Sequence, residues 1–134
     1  MVIEWEILSD RFFNMDKFEL QNRTKHLAIR VIKLTKTFFL SQEGKVISNQ
    51  IIRSGTSVAS NCRAACRAKS PKDFISKMGI VEEECDETVF WLEIIEELQM
   101  TKEIEELKAI KKEANEILSI TVASIKTVKT KLNS

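Results

Sequence analysis

Three cysteines and a single histidine are the side chains of this sequence best suited to specific chemistry. Cys62 and Cys66 stand four residues apart, one turn on a helical face, and Cys85 follows in the next helical segment. With His26 they would make a Cys₃His set of the kind that binds zinc. Structural zinc sites, however, draw their ligands as close pairs from turns, and these thiols fall on stripes of small or apolar residues, where free cysteine is commonly buried. Core packing is the expected role of all three cysteines. His26 follows Lys25 on a polar helical face and is expected to be exposed. A di-iron bundle needs Glu-x-x-His pairs, and the residue three before His26 is Arg23, so that site is excluded.

Carboxylates are plentiful in "VEEECDE", from Val81 to Glu87, but such a run reads as a solvated face with one or two paired members. The sequence contains no glycine-rich phosphate loop, no nucleophile elbow and no Ser/His/Asp constellation. The expectation is a protein that is not an enzyme and carries neither cofactor nor metal.

The elements that position these residues are helices. Leu20, Thr24, Leu27, Val31, Leu34 and Phe38 recur in steps of four and three, with a second strip at Ala28, Ile32, Thr35 and Phe39. This first helix therefore has more apolar surface than one neighbour needs. "LSQEGK" supplies the break, with Gly44 as its flexible point. A second helix from about Lys45 shows Ile47, Ile51, Ser54, Val58, Asn61, Ala65 and Ala68 on one face. Beside them run the small residues Gly55, Ala59, Cys62 and Cys66. Trimmed side chains let a neighbouring helix approach closely, because interaxial distance follows the side chains at the contact.

"AKSPKDF" marks the next start: Ser70 as cap, Pro71 at the first helical position and Asp73 three residues after the cap. The third helix carries Phe74, Met78, Val81, Cys85, Thr88, Leu92 and Ile95, and Trp91, Ile94 and Leu98 widen the stripe. "QMTKE" makes the last turn, with Thr101 as the expected cap. A fourth stripe continues through Leu107, Ile110, Ala114, Ile117, Leu118, Thr121, Ile125, Val128 and Leu132. Four helices on short connections predict an all-α fold, an antiparallel up-down-up-down four-helix bundle over residues 16–134. Residues 1–15, with Trp5, Ile7, Leu8, Phe12 and Phe13, are too apolar for a free tail and are expected to form an arm or short helix that docks; Met15 is an alternative start.

Basic and acidic residues nearly balance, 21 against 20, so the chain as a whole has no strong pull toward nucleic acid or anionic lipid. Locally the balance breaks. From Lys45 to Lys69 stand Lys45, Arg53, Arg63, Arg67 and Lys69 with no acidic residue, whereas Pro71 to Leu98 holds nine acidic residues and two lysines. Antiparallel packing about a connection near residues 69–71 sets Arg53 opposite Glu87, with Glu84 one turn away. A partly buried, hydrogen-bonded ion pair is expected there. Arg63, Arg67, Lys69 and Lys72 remain around the turn. They read either as a solubilising face or as a patch that binds phosphates by releasing counterions. No aromatic residue interleaves them to stack bases, so binding would be blind to sequence. An odd cysteine number without repeated spacing suits a reducing compartment. The acidic start resembles no secretory signal, and no apolar run approaches a membrane span, so a cytoplasmic location with no membrane partner is expected.

Three stretches carry a family resemblance: "ELQNRTKHLAIRVIKL" (Glu19 to Leu34), "IIRSGTSVASN" (Ile51 to Asn61) and "SPKDFISKMGIVEEECDETVFWLEII" (Ser70 to Ile95). The most specific combination is Arg53-Ser54-Gly55-Thr56-Ser57, Asn61, then Asp73-Phe74, Lys77, Glu84, Glu87 and Trp91-Leu92. Over about Phe18 to Leu132 the chain resembles the bacterial 23S ribosomal RNA intervening-sequence protein family. More distantly, it is similar to the accessory proteins of diversity-generating retroelements, basic barrels associated with nucleic acid. The resemblance implies a bundle that closes into a homo-oligomeric ring, pentameric in family members, with the surplus apolar strips between subunits, but no activity; the expected role is a scaffold or adaptor with nucleic acid or a nucleic-acid enzyme as partner. The alternative is a protein-binding bundle with no nucleic-acid affinity. Two departures stand out: the third helix is strongly acidic, and Asn61-Cys62-Arg63-Ala64 replaces the Asn-x-x-Glu pattern of many members, so that glutamate's role is not carried over.

Overall fold

The computed structural model describes residues 16–133 and contains four α-helices: α1 (Lys17–Thr35), α2 (Gln42–Ala65), α3 (Pro71–Glu97) and α4 (Ile104–Leu132). The expected arm and the alternative start at Met15 lie outside the described residues. Each helix packs on the next in an antiparallel bundle, and α1 closes the arrangement against α4. Among the described residues there is no strand, only an isolated bridge between Phe38 and Thr101, and no helix is long and apolar enough to cross a membrane.

The stripes read from the spacing form one core. Leu20, Leu27, Val31 and Leu34 of α1 are buried together with Phe74, Met78, Val81, Cys85, Leu92 and Ile95 of α3, and with Leu107, Ile110, Ala114 and Ile117 of α4. From α2 come Ile47, Ile51, Val58, Cys62 and Ala65. Asn61 is half-buried, and Ala68 falls in the turn beyond the helix. Each large aliphatic side chain so enclosed contributes on the order of 2 kcal/mol relative to exposure.

The start of α2 differs from the sequence expectation. Ser41, three residues before Gly44, is the cap, and its Oγ accepts from Gly44 N at 2.9 Å. Gly44 is a buried first-turn residue, and a Cβ there would sit 2.8 Å from Ser41 Oγ. It makes room for the cap and is not a flexible break. Ser70 caps α3 as expected, accepting from Asp73 N at 3.0 Å, with Pro71 following. Thr101 does not cap α4, which begins at Ile104 after Glu103 without a side-chain cap. Thr101 Oγ1 instead accepts from Glu103 N at 3.1 Å and shares a 2.6 Å hydrogen bond with Thr37 Oγ1. Together with the 3.0 Å bond from Phe39 N to the Met100 carbonyl, this ties the α1–α2 and α3–α4 connections into one end of the bundle.

That end also holds, alone among the described non-glycine residues, a positive φ, at Gln99 (52°). The N–H of Gln99 donates to the Glu96 carbonyl at 3.1 Å, and that of Met100 to the Ile95 carbonyl at 3.1 Å. This paired pattern closes a helix through a left-handed residue, usually glycine. Gln99→Gly is expected to raise stability by about 1 kcal/mol, because glycine occupies that region without the Cβ penalty; a lower urea midpoint would contradict it.

The trimmed strip of α2 faces α1. Gly55 and Cys62 are buried, Ala59 and Cys66 half-buried. A Cβ on Gly55 would lie 3.4 Å from Val31 Cγ1, and Cys66 Sγ lies 3.9 Å from the Lys17 carbonyl. Gly55→Leu should therefore overpack the α1–α2 seam and cost about 1–3 kcal/mol in urea unfolding. An unchanged midpoint would mean that α1 does not depend on this gap.

Candidate functional site

The expected cluster begins where α2 ends. Cys66 caps the helix, and the amides of Arg67 and Ala68 continue the hydrogen bonding to Ala64 and Ala65, each at 3.0 Å. The chain then turns into the Ser70 cap. Arg63, Arg67, Lys69 and Lys72 are all exposed. Arg63 lies on the last turn of α2 and lines a groove of about 490 Å³ against α1, together with Lys25, Thr56, Ala59 and Ser60. Arg67 and Lys69 occupy the turn, and Lys72 is the second residue of α3.

Asp73 is the carboxylate nearest to this turn in sequence, and it is engaged. Its Oδ2 accepts from Lys69 N at 3.0 Å, and both oxygens accept from Lys77 Nζ at 2.8 Å. The Lys77 hydrogen bond, then the Lys69 amide, holds Asp73 below the usual carboxylate range. The side chains of Arg63, Arg67 and Lys72 make no ion pair among the described residues.

Arg53 behaves differently. Its Nη1 donates to Glu84 Oε2 at 3.0 Å and its Nη2 to Glu87 Oε2, across the α2–α3 seam. Glu87 Oε2 also accepts from Trp91 Nε1 at 3.0 Å. The indole, followed by the guanidinium, lowers the Glu87 pKa. The Arg53 side chain is 48% exposed and lies at the rim of the seam, while the carboxylates it meets, Glu84 at 20% and Glu87 at 35%, are partly buried. The neighbouring positions explain this, since Ile51, Ser54, Gly55 and Val58 take the interior of α2. Inside the seam, Thr88 Oγ1 donates to Ser54 Oγ at 2.9 Å.

A second set of ion pairs was not foreseen. Arg23 of α1 forks onto Glu113 of α4 through Nε at 2.9 Å and Nη2 at 2.6 Å, and Nη2 also reaches Glu116 at 3.1 Å. Arg30 forks onto Glu106 at 3.0 and 2.8 Å. The signal was present as two matched seven-residue spacings, Arg23 to Arg30 and Glu106 to Glu113, on helices that run antiparallel. Arg23 holds Glu113 below the usual range, and Arg30 does the same for Glu106, in each case chiefly through the hydrogen bond.

The thiols point to different neighbours. Cys85 Sγ donates to the Ala114 carbonyl of α4 at 3.2 Å, and burial pushes its pKa up to about 12. A hydrogen bond shared with Cys66, followed by burial, raises Cys62, while the same bond lowers Cys66. His26 is exposed. Among the described residues no group of three metal-ligating side chains is close enough to hold an ion.

The lowered carboxylates make stability acid-sensitive. A carboxyl whose folded pKa lies below its unfolded value contributes stability above the unfolded value, and that contribution is lost as pH falls through the folded one. For Glu87, Glu106, Glu113 and Asp73 the urea midpoint should hold near neutral pH and drop as pH falls below about 4.3, the unfolded glutamate value. Arg23→Met should shrink that drop by removing the Glu113 share, and an unaltered pH profile would exclude the pair as its source.

The residues of these seams, Arg53, Asp73, Lys77, Glu84, Glu87 and Trp91, lie within residues 16–123, which match the model of the 23S rRNA-intervening sequence protein family. Among curated proteins none matches. A solved structure, a protein of unknown function from the S23 ribosomal protein family of Bacteroides thetaiotaomicron, is 36% identical, with a TM-score of 0.71 over 84% of this chain and 99% of the other. A match to most of the helical bundle in sequence, joined by agreement in fold, shows that the chain belongs to the 23S rRNA-intervening sequence protein family.

Proposed function

We propose that the protein is a non-enzymatic homo-oligomeric scaffold whose basic α2–α3 corner docks on the phosphate backbone of nucleic acid. The observation that carries this reading is the asymmetry of charge pairing. Arg23, Arg30, Arg53, Lys77 and Lys111 all meet carboxylates. Among the described residues Arg63, Arg67 and Lys72 do not, and the carboxylate beside them, Asp73, is already engaged by Lys77 and the Lys69 amide. Cations without local partners are free to replace counterions on a polyanion. Arg63 also stands beside Lys25 in the α1–α2 groove, where no described lining residue is acidic.

Assembly is supported by apolar side chains left on the surface. Phe39, Leu40, Val46 and Leu98 are at least half exposed, and most gather at the end where the α1–α2 and α3–α4 connections meet. Exposed apolar side chains that cluster in this way mark interaction surfaces when they form a patch. A ring of pentameric size, as the family resemblance implies, would bury such patches in head-to-tail contacts that close by rotation.

A second reading, a protein-binding bundle with no nucleic-acid affinity, is favoured by the unpaired carboxylates of α3. Glu82, Glu83, Asp86, Glu93 and Glu97 make no ion pair among the described residues, so the basic corner of one copy could serve the acidic face of the next. The two readings separate on one titration. Generic RNA or DNA should bind with an affinity that falls steeply with salt, and Arg63→Glu/Arg67→Glu should reduce binding at least tenfold while light scattering shows an unchanged assembly. Binding that is absent, or indifferent to the double variant, removes the nucleic-acid reading; loss of the assembly in the variant supports the alternative.

A further inference from the structure

The last turn of α2 carries two thiols on one side. Cys62 and Cys66 stand four residues apart, and Cys66 closes the helix as its C-cap, its amide donating to the Cys62 carbonyl at 3.0 Å. Helical rise sets their Cα atoms about 6 Å apart, within the span of a disulfide. Their Cβ atoms, about 5–6 Å apart at this spacing, must close to about 4 Å to be bridged. A helix end can make that move. Beyond Cys66 the chain leaves α2 through a turn in which only the amides of Arg67 and Ala68 bond back, to the Ala64 and Ala65 carbonyls.

The two sulfurs have different surroundings. Cys62 is fully buried in the core, whereas Cys66 is half-buried, its Sγ 3.9 Å from the Lys17 carbonyl at the start of α1. The Cys62 thiol donates to the Cys66 sulfur, and against the opposing effect of burial Gln21, Lys17 and Arg67 also favour the Cys66 thiolate. A reachable sulfur that ionises readily, next to a second thiol, is the arrangement on which oxidants act selectively. Cys85 lacks it: buried in the α3–α4 seam, it donates to the Ala114 carbonyl and its pKa is pushed up to about 12.

We propose that Cys62 and Cys66 form a reversible oxidation site for hydroperoxides, with Cys66 as nucleophile and Cys62 as resolving thiol. The Cys66 sulfur attacks the terminal oxygen of the hydroperoxide; the O–O bond breaks as an S–O bond forms, and the departing oxygen takes a proton from solvent. Cys66 is thereby oxidised to a sulfenic acid and the hydroperoxide reduced to an alcohol, or to water when it is hydrogen peroxide. The Cys62 sulfur then attacks that of Cys66. An S–S bond replaces the S–O bond, and the hydroxyl leaves as water with the Cys62 proton. A dithiol reductant restores both thiols by exchange and becomes a disulfide itself.

Trypsin cuts after Arg53, Arg63 and Arg67, so the bond joins the peptides Ser54–Arg63 and Ala64–Arg67 in a mass spectrum. Hydrogen peroxide should join them in the folded full chain, as a monomer on non-reducing electrophoresis, and dithiothreitol should part them. Cys85 should be oxidised at least about tenfold more slowly than Cys66, a difference lost in urea. Cys62→Ser, with helical circular dichroism unchanged, should leave a Cys66 sulfenic acid that dimedone traps. Peptides that stay separate in the parent overturn the proposal, as do Cys85 oxidised as fast as Cys66 and a bond that links two chains. A folded Cys62→Ser protein without a dimedone adduct on Cys66 overturns it as well.

Discussion

The bundle depends on an absence, the missing side chain at position 55. Where α2 passes α1, Gly55 leaves space that Val31 fills, and a Cβ there would already be in van der Waals contact. Packed interiors have little spare volume, so the size of one residue sets how near two helices come. With α1 seated on α2, its buried stripe from Leu20 to Leu34 joins the stripes of α3 and α4. Cys62 and Ala65, small and fully buried, extend the same accommodation along α2.

Electrostatics then sets the register that apolar packing leaves loosely defined. Arg23 and Arg30 grip α4 through paired forks, and fork geometry gives arginine–carboxylate contacts a directionality that a lysine lacks. Arg53 does the same for α3 from the rim of the seam, its half-exposed position weakening the attraction by solvent screening. Consuming these carboxylates divides the surface. Among the described residues Arg63, Arg67 and Lys72 are left without carboxylate partners at one corner, and much of the outer face of α3 remains acidic. A nearly neutral chain thus carries a basic corner at the α2–α3 turn and an acidic outer face on α3.

Much of the fold was legible because helical periodicity is a local property. Every member of the α3 stripe from Phe74 to Ile95 is buried, and the Ser70-Pro71-Asp73 start stands where its residue types placed it. The basic cluster was legible as composition. The reading failed where a residue's role depends on distant chain. Gly44 looked like a hinge but lies beneath the Ser41 cap, and Thr101 looked like a cap but bonds to Thr37 across the end of the bundle. Gln99 carries no mark of the left-handed backbone it adopts. The matched spacings of Arg23 and Arg30 with Glu106 and Glu113 acquire meaning only once α1 and α4 are neighbours.

The sequence by itself therefore determined four amphipathic helices, their order, and which face of each turns inward, since burial of an apolar stripe needs only the 3.6-residue repeat. Tertiary structure alone decided which cations would be neutralised. An ion pair requires two side chains within about 4 Å, and helix offsets and tilts set that distance over tens of ångströms of packing.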